Sequence, residues 1–239
     1  VFVTHGFRRA QVQDVADALG VSKGALYGYA AGKSALFAAA VRYADGVEPQ
    51  PERARLPVPM PGSGELAGLV RERLAGEVGG LELTRALSRP GPPGGIPAEQ
   101  EFEAIVGDLY RRLSAHRTAI KLVDRCAPEF PELRQVWFEE GRAVQVGAVA
   151  EYLRRRAESG DLVVPGRVEL VARSVIELCV LWAVHRHWDP APTPLRLPTE
   201  ASGFEDDEVV AMLTHLLGRA VRPDGRPTGR TRRTTGDPT

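Results

Sequence analysis

Asparagine does not occur in the 239 residues, lysine occurs three times (Lys23, Lys33, Lys121) and cysteine twice (Cys126, Cys179). Two cysteines far apart and in no metal-ligand spacing argue against a disulfide framework or a zinc knuckle; both read as reduced core thiols. The remaining basic residues are 28 arginines, a skew more suggestive of a GC-rich genome than of function. Net charge is missing too, because 31 basic residues balance 31 acidic ones. That excludes a broadly basic nucleic-acid coat and an acidic tail, so any nucleic-acid function must be local. There is no run of 18 or more apolar residues and no charged-then-apolar leader, so neither a membrane span nor a signal peptide is expected and the cytoplasm is the default. What is present is ordinary globular composition, 43% hydrophobic and 26% charged, over a length that allows one or two domains. The sequence opens on Val1, and Val1, Phe2 and Val3 read as the last turn of a helix that begins upstream.

Prolines and charge divide the chain. Residues 1–46 carry five basic and three acidic residues and form short helical patterns. Between Val47 and Gly64, five prolines and two glycines prevent helix propagation, which predicts a linker over 47–62. Residues 63–221 read as helix after helix: Leu66, Leu69, Val70 and Leu74, then Phe102, Ile105, Leu109 and Leu113, recur at three- and four-residue spacing. A long helix follows Pro131 and ends near Arg154, Arg155 and Arg156, read as a solvated helix end before Gly160. The next helix is apolar almost all round, and the last repeats the theme. Two such neighbours predict a bundle shared between two copies of the chain, with Val171, Val175, Leu178, Val209, Leu213 and Leu216 as candidate interface residues. Residues 222–239 lack periodicity and read as a disordered tail, its arginines touching DNA nonspecifically at most. No strand pattern stands out, so the expected fold is all-α.

The informative stretch runs from Gln11 to Tyr27. Val12, Val15, Ala16 and Leu19 form one helical face, Gly20 permits a left-handed turn, and Ser22 caps a second short helix. Helix, glycine turn and helix is helix-turn-helix grammar, in which the second helix enters the DNA major groove.

Here the sequence resembles the TetR family of bacterial transcriptional regulators. The matching residues are Gly6-Phe7, Val12, Val15-Ala16, Leu19-Gly20-Val21-Ser22, Leu26-Tyr27, Tyr29, Lys33 and Leu36-Phe37, within the first 43 positions. The resemblance implies a helix-turn-helix module over 1–46, followed by a helical effector-binding and dimerisation domain over 63–221. It implies that Ser22 caps the recognition helix, that Lys23, Gly24 and Ala25 meet the groove, that Tyr27 and Tyr29 reach phosphates or bases, and that Lys33 approaches a phosphate. Gln11 stands where the family usually has Thr or Ser, weakening the expected cap and phosphate contact. Ala30 replaces a usual phenylalanine, and Gly28 costs about 1 kcal/mol relative to alanine. The implied partners are a pseudo-palindromic double-stranded operator, a second copy of the chain and a small apolar effector.

Other patterns weigh less. Gly28 to Ser34 resembles a phosphate-binding loop but is one residue short, with Tyr27 where the first glycine belongs. His185, His187 and Asp189 are metal-type ligands, yet on a continuous helix the two imidazoles point about 200° apart. Phe102, Tyr110, Cys126, Trp137, Trp182 and His185 are candidates for an effector pocket; for each aromatic alone, plain core is the simpler reading. No catalytic Ser, Cys or carboxylate pair stands out, and no cofactor or metal is expected. The rival readings are a helical small-molecule-binding enzyme and an interaction protein that does not bind DNA.

Overall fold

The computed structural model describes residues 1–46, 48–78, 81–188 and 205–223. Among these there are twelve α-helices and no strand. The one β-type pairing is an isolated bridge between Ala30 and Val58.

The first helix, α1, spans Phe2–Arg9. It breaks at Gly6, whose φ of 74° lies in the left-handed region. Two constraints select glycine there. A side chain would be strained at that φ, and a Cβ would lie 2.7 Å from Glu129 Oε1. Helix α2 (Val12–Leu19) ends on Gly20 at φ 67°, and α3 (Lys23–Tyr27) starts with the Ser22 hydroxyl accepting from the Ala25 N–H at 3.1 Å. Of the expected α2 face, Ala16 is buried, Val12 and Val15 are half-buried, and Leu19 is exposed. Helix α4 (Lys33–Tyr43) closes the module.

The proline-rich stretch does not separate two cores. Phe2, Phe37 and Val41 of the first segment pack with Val70 of α5 (Glu65–Val78) and with Leu122, Val123 and Cys126 of α8 (Arg117–Cys126). Leu133 of α9 (Pro131–Arg134) and Val136 complete this cluster. Its aromatic centre is Phe2, Phe7, Phe37 and Phe130, with ring centroids 4.7 to 6.1 Å apart.

A second cluster forms the upper body. It joins α6 (Glu82–Leu87), α7 (Ala98–Ala115), α10 (Ala143–Glu158), α11 (Val168–Ala183) and α12 (Asp206–Val221). Helix continues from α9 into α10 through a π-helical stretch, Gln135–Arg142, so the long helix expected after Pro131 is present but locally widened. The expectation of a solvated arginine end fails at one of three positions. Arg156 is 1% exposed and pairs with buried Glu101 at 2.9 Å, while Arg154 and Arg155 stay near the surface with Glu151. Burying one cation is feasible here because Glu101 and the carbonyl of Pro90 accept its hydrogens.

The expected interface stripe is also partly turned inward. Val175, Val209 and Leu213 are buried within the protomer, and Val171 and Leu178 pack against the same core. Of the six, only Leu216 is exposed, at 54%. The apolar residues that do face outward on these helices are Leu170 and Leu181 of α11 and Met212 and Leu216 of α12. Two apolar helices side by side therefore bury one stripe in their own domain and leave a second outside. Residues 224–239, including Arg226, Arg230, Arg232 and Arg233 of the expected tail, lie outside the described residues.

Candidate DNA-binding face and ligand cavity

The recognition-helix candidates share one exposed surface. Ser22, Lys23, Gly24 and Ala25 at the start of α3 are exposed, as are Tyr27 and, 61% accessible, Tyr29. Leu26 is buried beneath them and anchors the helix. A short helix held by one buried leucine and one serine cap presents its first turn outward, the geometry by which groove-reading helices meet base edges. Gln11 is exposed at the start of α2, where its backbone N–H donates to Asp14 Oδ2 at 2.7 Å; the helix start lacks Thr or Ser yet has a carboxylate partner.

Lys33 opens α4, where the resemblance puts it, and its ammonium turns onto the end of α1. Its Nζ donates to the carbonyls of Phe7 at 3.0 Å, Arg8 at 3.2 Å and Ala10 at 3.1 Å, and sits 4.6 Å from the centre of the Phe7 ring. An ammonium has three hydrogens, and all three are spent on the end of α1. Lys33 is a structural cap, and the same contacts leave no phosphate-loop lysine in Gly28 to Ser34.

Glu129 holds the break in α1. Its two carboxylate oxygens accept the N–H groups of Phe7 at 2.9 Å and Arg8 at 2.7 Å. At the other end of α8, Asp45 accepts from the N–H groups of Thr118 at 3.0 Å and Ala119 at 2.9 Å. Helix α8 is thus clamped at both ends to the first segment. Neither acid was singled out from sequence, since each acts on backbone more than 70 positions away.

Between α4, α5, α7, α8, α11 and the π-helical stretch lies a cavity of about 390 Å³. Its apolar wall includes Val41, Leu74, Leu109, Ile120, Val123, Trp137 and Val180. Its polar wall is charge-paired. Arg112 meets Glu77 at 3.0 Å and Asp108 at 3.1 Å, His116 meets Glu77 at 3.3 Å, and Arg142 meets Asp124 at 3.0 Å. Arg73 binds Glu48 at 2.6 Å and the carbonyls of Val41 and Arg42. Gln145 lines the cavity without a hydrogen bond among the described residues.

Of the six sequence candidates for an effector pocket, Trp137 lines this cavity, with its indole N–H on Asp124 at 3.0 Å. The others are placed elsewhere. Phe102 is core, stacked on Tyr152. Tyr110 donates to Asp206 at 2.8 Å, and burial with that acceptor pushes its phenol up. Cys126 belongs to the lower core, where burial raises its thiol to about 11. Trp182 packs on the upper core under the Arg186 guanidinium. His185 meets Lys121 at 3.0 Å. The cavity runs instead along Leu74, Leu109, Leu113 and Ile120, leucines and isoleucine whose spacing marks them as apolar faces without showing which faces meet.

The helix carrying the histidines ends at Ala183, so His185 and His187 lie in a 3-10 turn. They still do not converge, since His185 faces Lys121 and His187 faces Arg117 at 2.6 Å. No group of three potential metal ligands occurs among the described residues. Asp189 lies outside them. No helix of the described residues is long and apolar enough to cross a membrane.

The first segment thus presents a short, capped, exposed helix, and it is joined to a larger helical body with an internal cavity. Residues 1–40 match the family of bacterial regulatory proteins of the tetR type, and residues 111–187 match the C-terminal domain of AefR-like transcriptional repressors. The fold is similar to a tetR-family regulatory protein from Rhodococcus RHA1, at 15% identity over 94% of this chain and 93% of that one, with a TM-score of 0.50. It is also similar to the ketosteroid transcriptional regulator KstR2 of Mycobacterium tuberculosis, at 14% identity over 93% and 90%, with a TM-score of 0.55. No curated protein gives a sequence match. Both matched segments are those of TetR-family transcriptional regulators, and the chain has that family's fold and domains.

Proposed function

We propose that the chain acts in the cytoplasm as a homodimeric repressor that a small, largely apolar effector releases from a pseudo-palindromic operator. The observation that carries this reading is that one wall of the cavity belongs to the DNA-binding segment. Val41 of α4 lines it, and Ala119, Ile120 and Val123 line it from α8, the helix clamped to that segment by Asp45 and Glu129. An occupant that shifts α8 therefore shifts α1 and α4. Because each charged wall residue already has an opposite charge beside it, a net ionic ligand would have to break a pair, whereas an apolar one fills the space. Gln145 offers a hydrogen bond to a single polar group.

Two recognition helices enter successive major grooves when they sit about 34 Å apart. The outward stripe of Leu170, Leu181, Met212 and Leu216 supports pairing of two copies through α11 and α12. An effector that binds better to a conformation with another spacing weakens DNA binding by its differential affinity. The test is selection of random duplex DNA on the purified chain. A palindrome is expected, and failure to enrich any sequence at low salt overturns the reading.

A further inference from the structure

The linker does not hang between two bodies; it is strapped to the DNA-binding segment directly after the recognition helix. The Val58 N–H donates to the Tyr29 carbonyl at 2.8 Å, and the Ala31 N–H donates to the Val58 carbonyl at 2.9 Å. Met60 continues along the start of α4, its sulfur 3.4 Å from where a Cβ at Gly32 would stand. Just before the strap, Arg53 and Arg55 lie in a 3-10 turn closed by the Arg55 N–H on the Glu52 carbonyl at 2.8 Å. Both are exposed, and neither side chain has an ion pair or hydrogen bond among the described residues. Elsewhere, Arg8 pairs with Glu129, and Arg42 and Arg73 pair with Glu48. Arg55 is three residues from Val58, so its Cα lies within about 11 Å of the strap, and that of Arg53 within about 18 Å.

We infer that Arg53 and Arg55 form a second DNA contact, on backbone phosphates beside the groove that α3 enters, delivered there by the Val58 strap. This rests on the DNA-binding reading above and adds a contact to it. Three observations converge. The strap ends on Tyr29 and Ala31, the turn that leaves the exposed recognition helix. The guanidinium groups have no competing partner among the described residues, and guanidinium is well matched to phosphate oxygens. Lys33, the expected phosphate ligand at this turn, is consumed by α1, so the turn has no free lysine of its own. Phosphate contacts fix register without reading sequence, so the linker contributes affinity and salt dependence while α3 contributes preference.

The test compares the unaltered chain with a double variant, Arg53→Ala with Arg55→Ala, on the duplex that selection enriches. Affinity is measured across a salt series, and essential phosphates are mapped by ethylation interference. The slope of log affinity against log salt is expected to become shallower by about 0.9 for each arginine in each subunit. Interference is expected to disappear at phosphates beside the α3 groove, with base preference unchanged. The double replacement by lysine is expected to restore most of the slope. Val58→Pro, which removes the strap donor and keeps both arginines, is expected to lose it as the alanine pair does. Equal slopes and equal interference for the unaltered chain and the alanine variant overturn this inference and leave DNA binding intact. No binding of any duplex by the unaltered chain overturns both.

Discussion

Lys33 Nζ lies 3.0 Å from the carbonyl oxygen of Phe7, so the cation that opens α4 ties down the end of α1. The consequence is a change in what its removal does. Hydrogen bonds to a charged donor contribute about 1.5–3 kcal/mol. Because Lys33 is only half-buried, Lys33→Ala is expected to cost about 2 kcal/mol of stability in denaturant unfolding. The salt slope of DNA binding should stay as it was. A flattened slope with unchanged stability would return Lys33 to the phosphate role.

Lys23 carries the opposite expectation. It is the first residue of α3, exposed, and beside Gly24 and Ala25, which leave room for close approach to the groove floor. Lys23→Ala is expected to weaken binding to the selected duplex by about 1–3 kcal/mol while leaving affinity for random duplex nearly unchanged. Competition binding with the two duplexes measures the difference. Equal losses on both would make Lys23 a phosphate contact.

Arg156 and Glu101 are both nearly inaccessible, and Tyr152 shares the same carboxylate at 3.0 Å. Removing one partner of a buried pair leaves the other charge without compensation, a loss of about 3–5 kcal/mol. Arg156→Met should therefore destabilise the upper body strongly in urea unfolding. Arg156→Met combined with Glu101→Leu should recover much of that loss, because no lone charge remains. A double variant no better than the single would place the cost in packing.

What was legible in the sequence was local. Gly20 and Ser22 announce a turn and a cap through their own backbone and hydroxyl chemistry, and both stand as expected. The all-helical class follows from apolar spacing. What was not legible needed tertiary neighbours. Nothing near Arg156 in sequence shows that Glu101 is waiting 55 positions away, and nothing near Glu129 shows that it grips α1. Of the effector candidates, Trp137 lines the cavity while Phe102 and Tyr110 fill core, because size and aromaticity pick out residues that fill space. The cavity is bounded by aliphatic side chains whose faces turn toward one another only once the helices cross.

His187 gives the fold a pH dependence. Burial and the neighbouring Arg117 cation hold its imidazole below the usual value of 6.5, with Asp206 opposing the shift. The unfolded chain then binds more protons than the folded one below pH 6.5, so this contribution is present above that value and is lost as pH falls toward the folded value. Urea midpoints are expected to drop between pH 7.5 and pH 5.5, and His187→Gln to reduce the drop. An unchanged pH dependence in the variant would assign it to other groups.

The cavity wall offers the most direct test of effector binding, because Trp137 reports on it. Its indole forms part of the wall next to Gln145 and Arg142. An uncharged apolar fluorescent probe such as N-phenyl-1-naphthylamine is expected to take energy from Trp137 when it enters. Ala119→Phe places a ring into the same space from α8, where the backbone is already fixed by Asp45. Filling about 390 Å³ in part should exclude a ligand sized to the whole, so probe binding should fall at least tenfold, the effect of losing about 1.4 kcal/mol. Since α3 and its cap are untouched, the variant should still bind the selected duplex, and an effector that dissociates the unaltered complex should leave the variant on DNA. Loss of both activities together would mean that the substitution had disturbed α8 itself. Retention of effector response with the cavity blocked would move the effector site elsewhere, since occupancy of this space could then not be what moves α8 against α1 and α4.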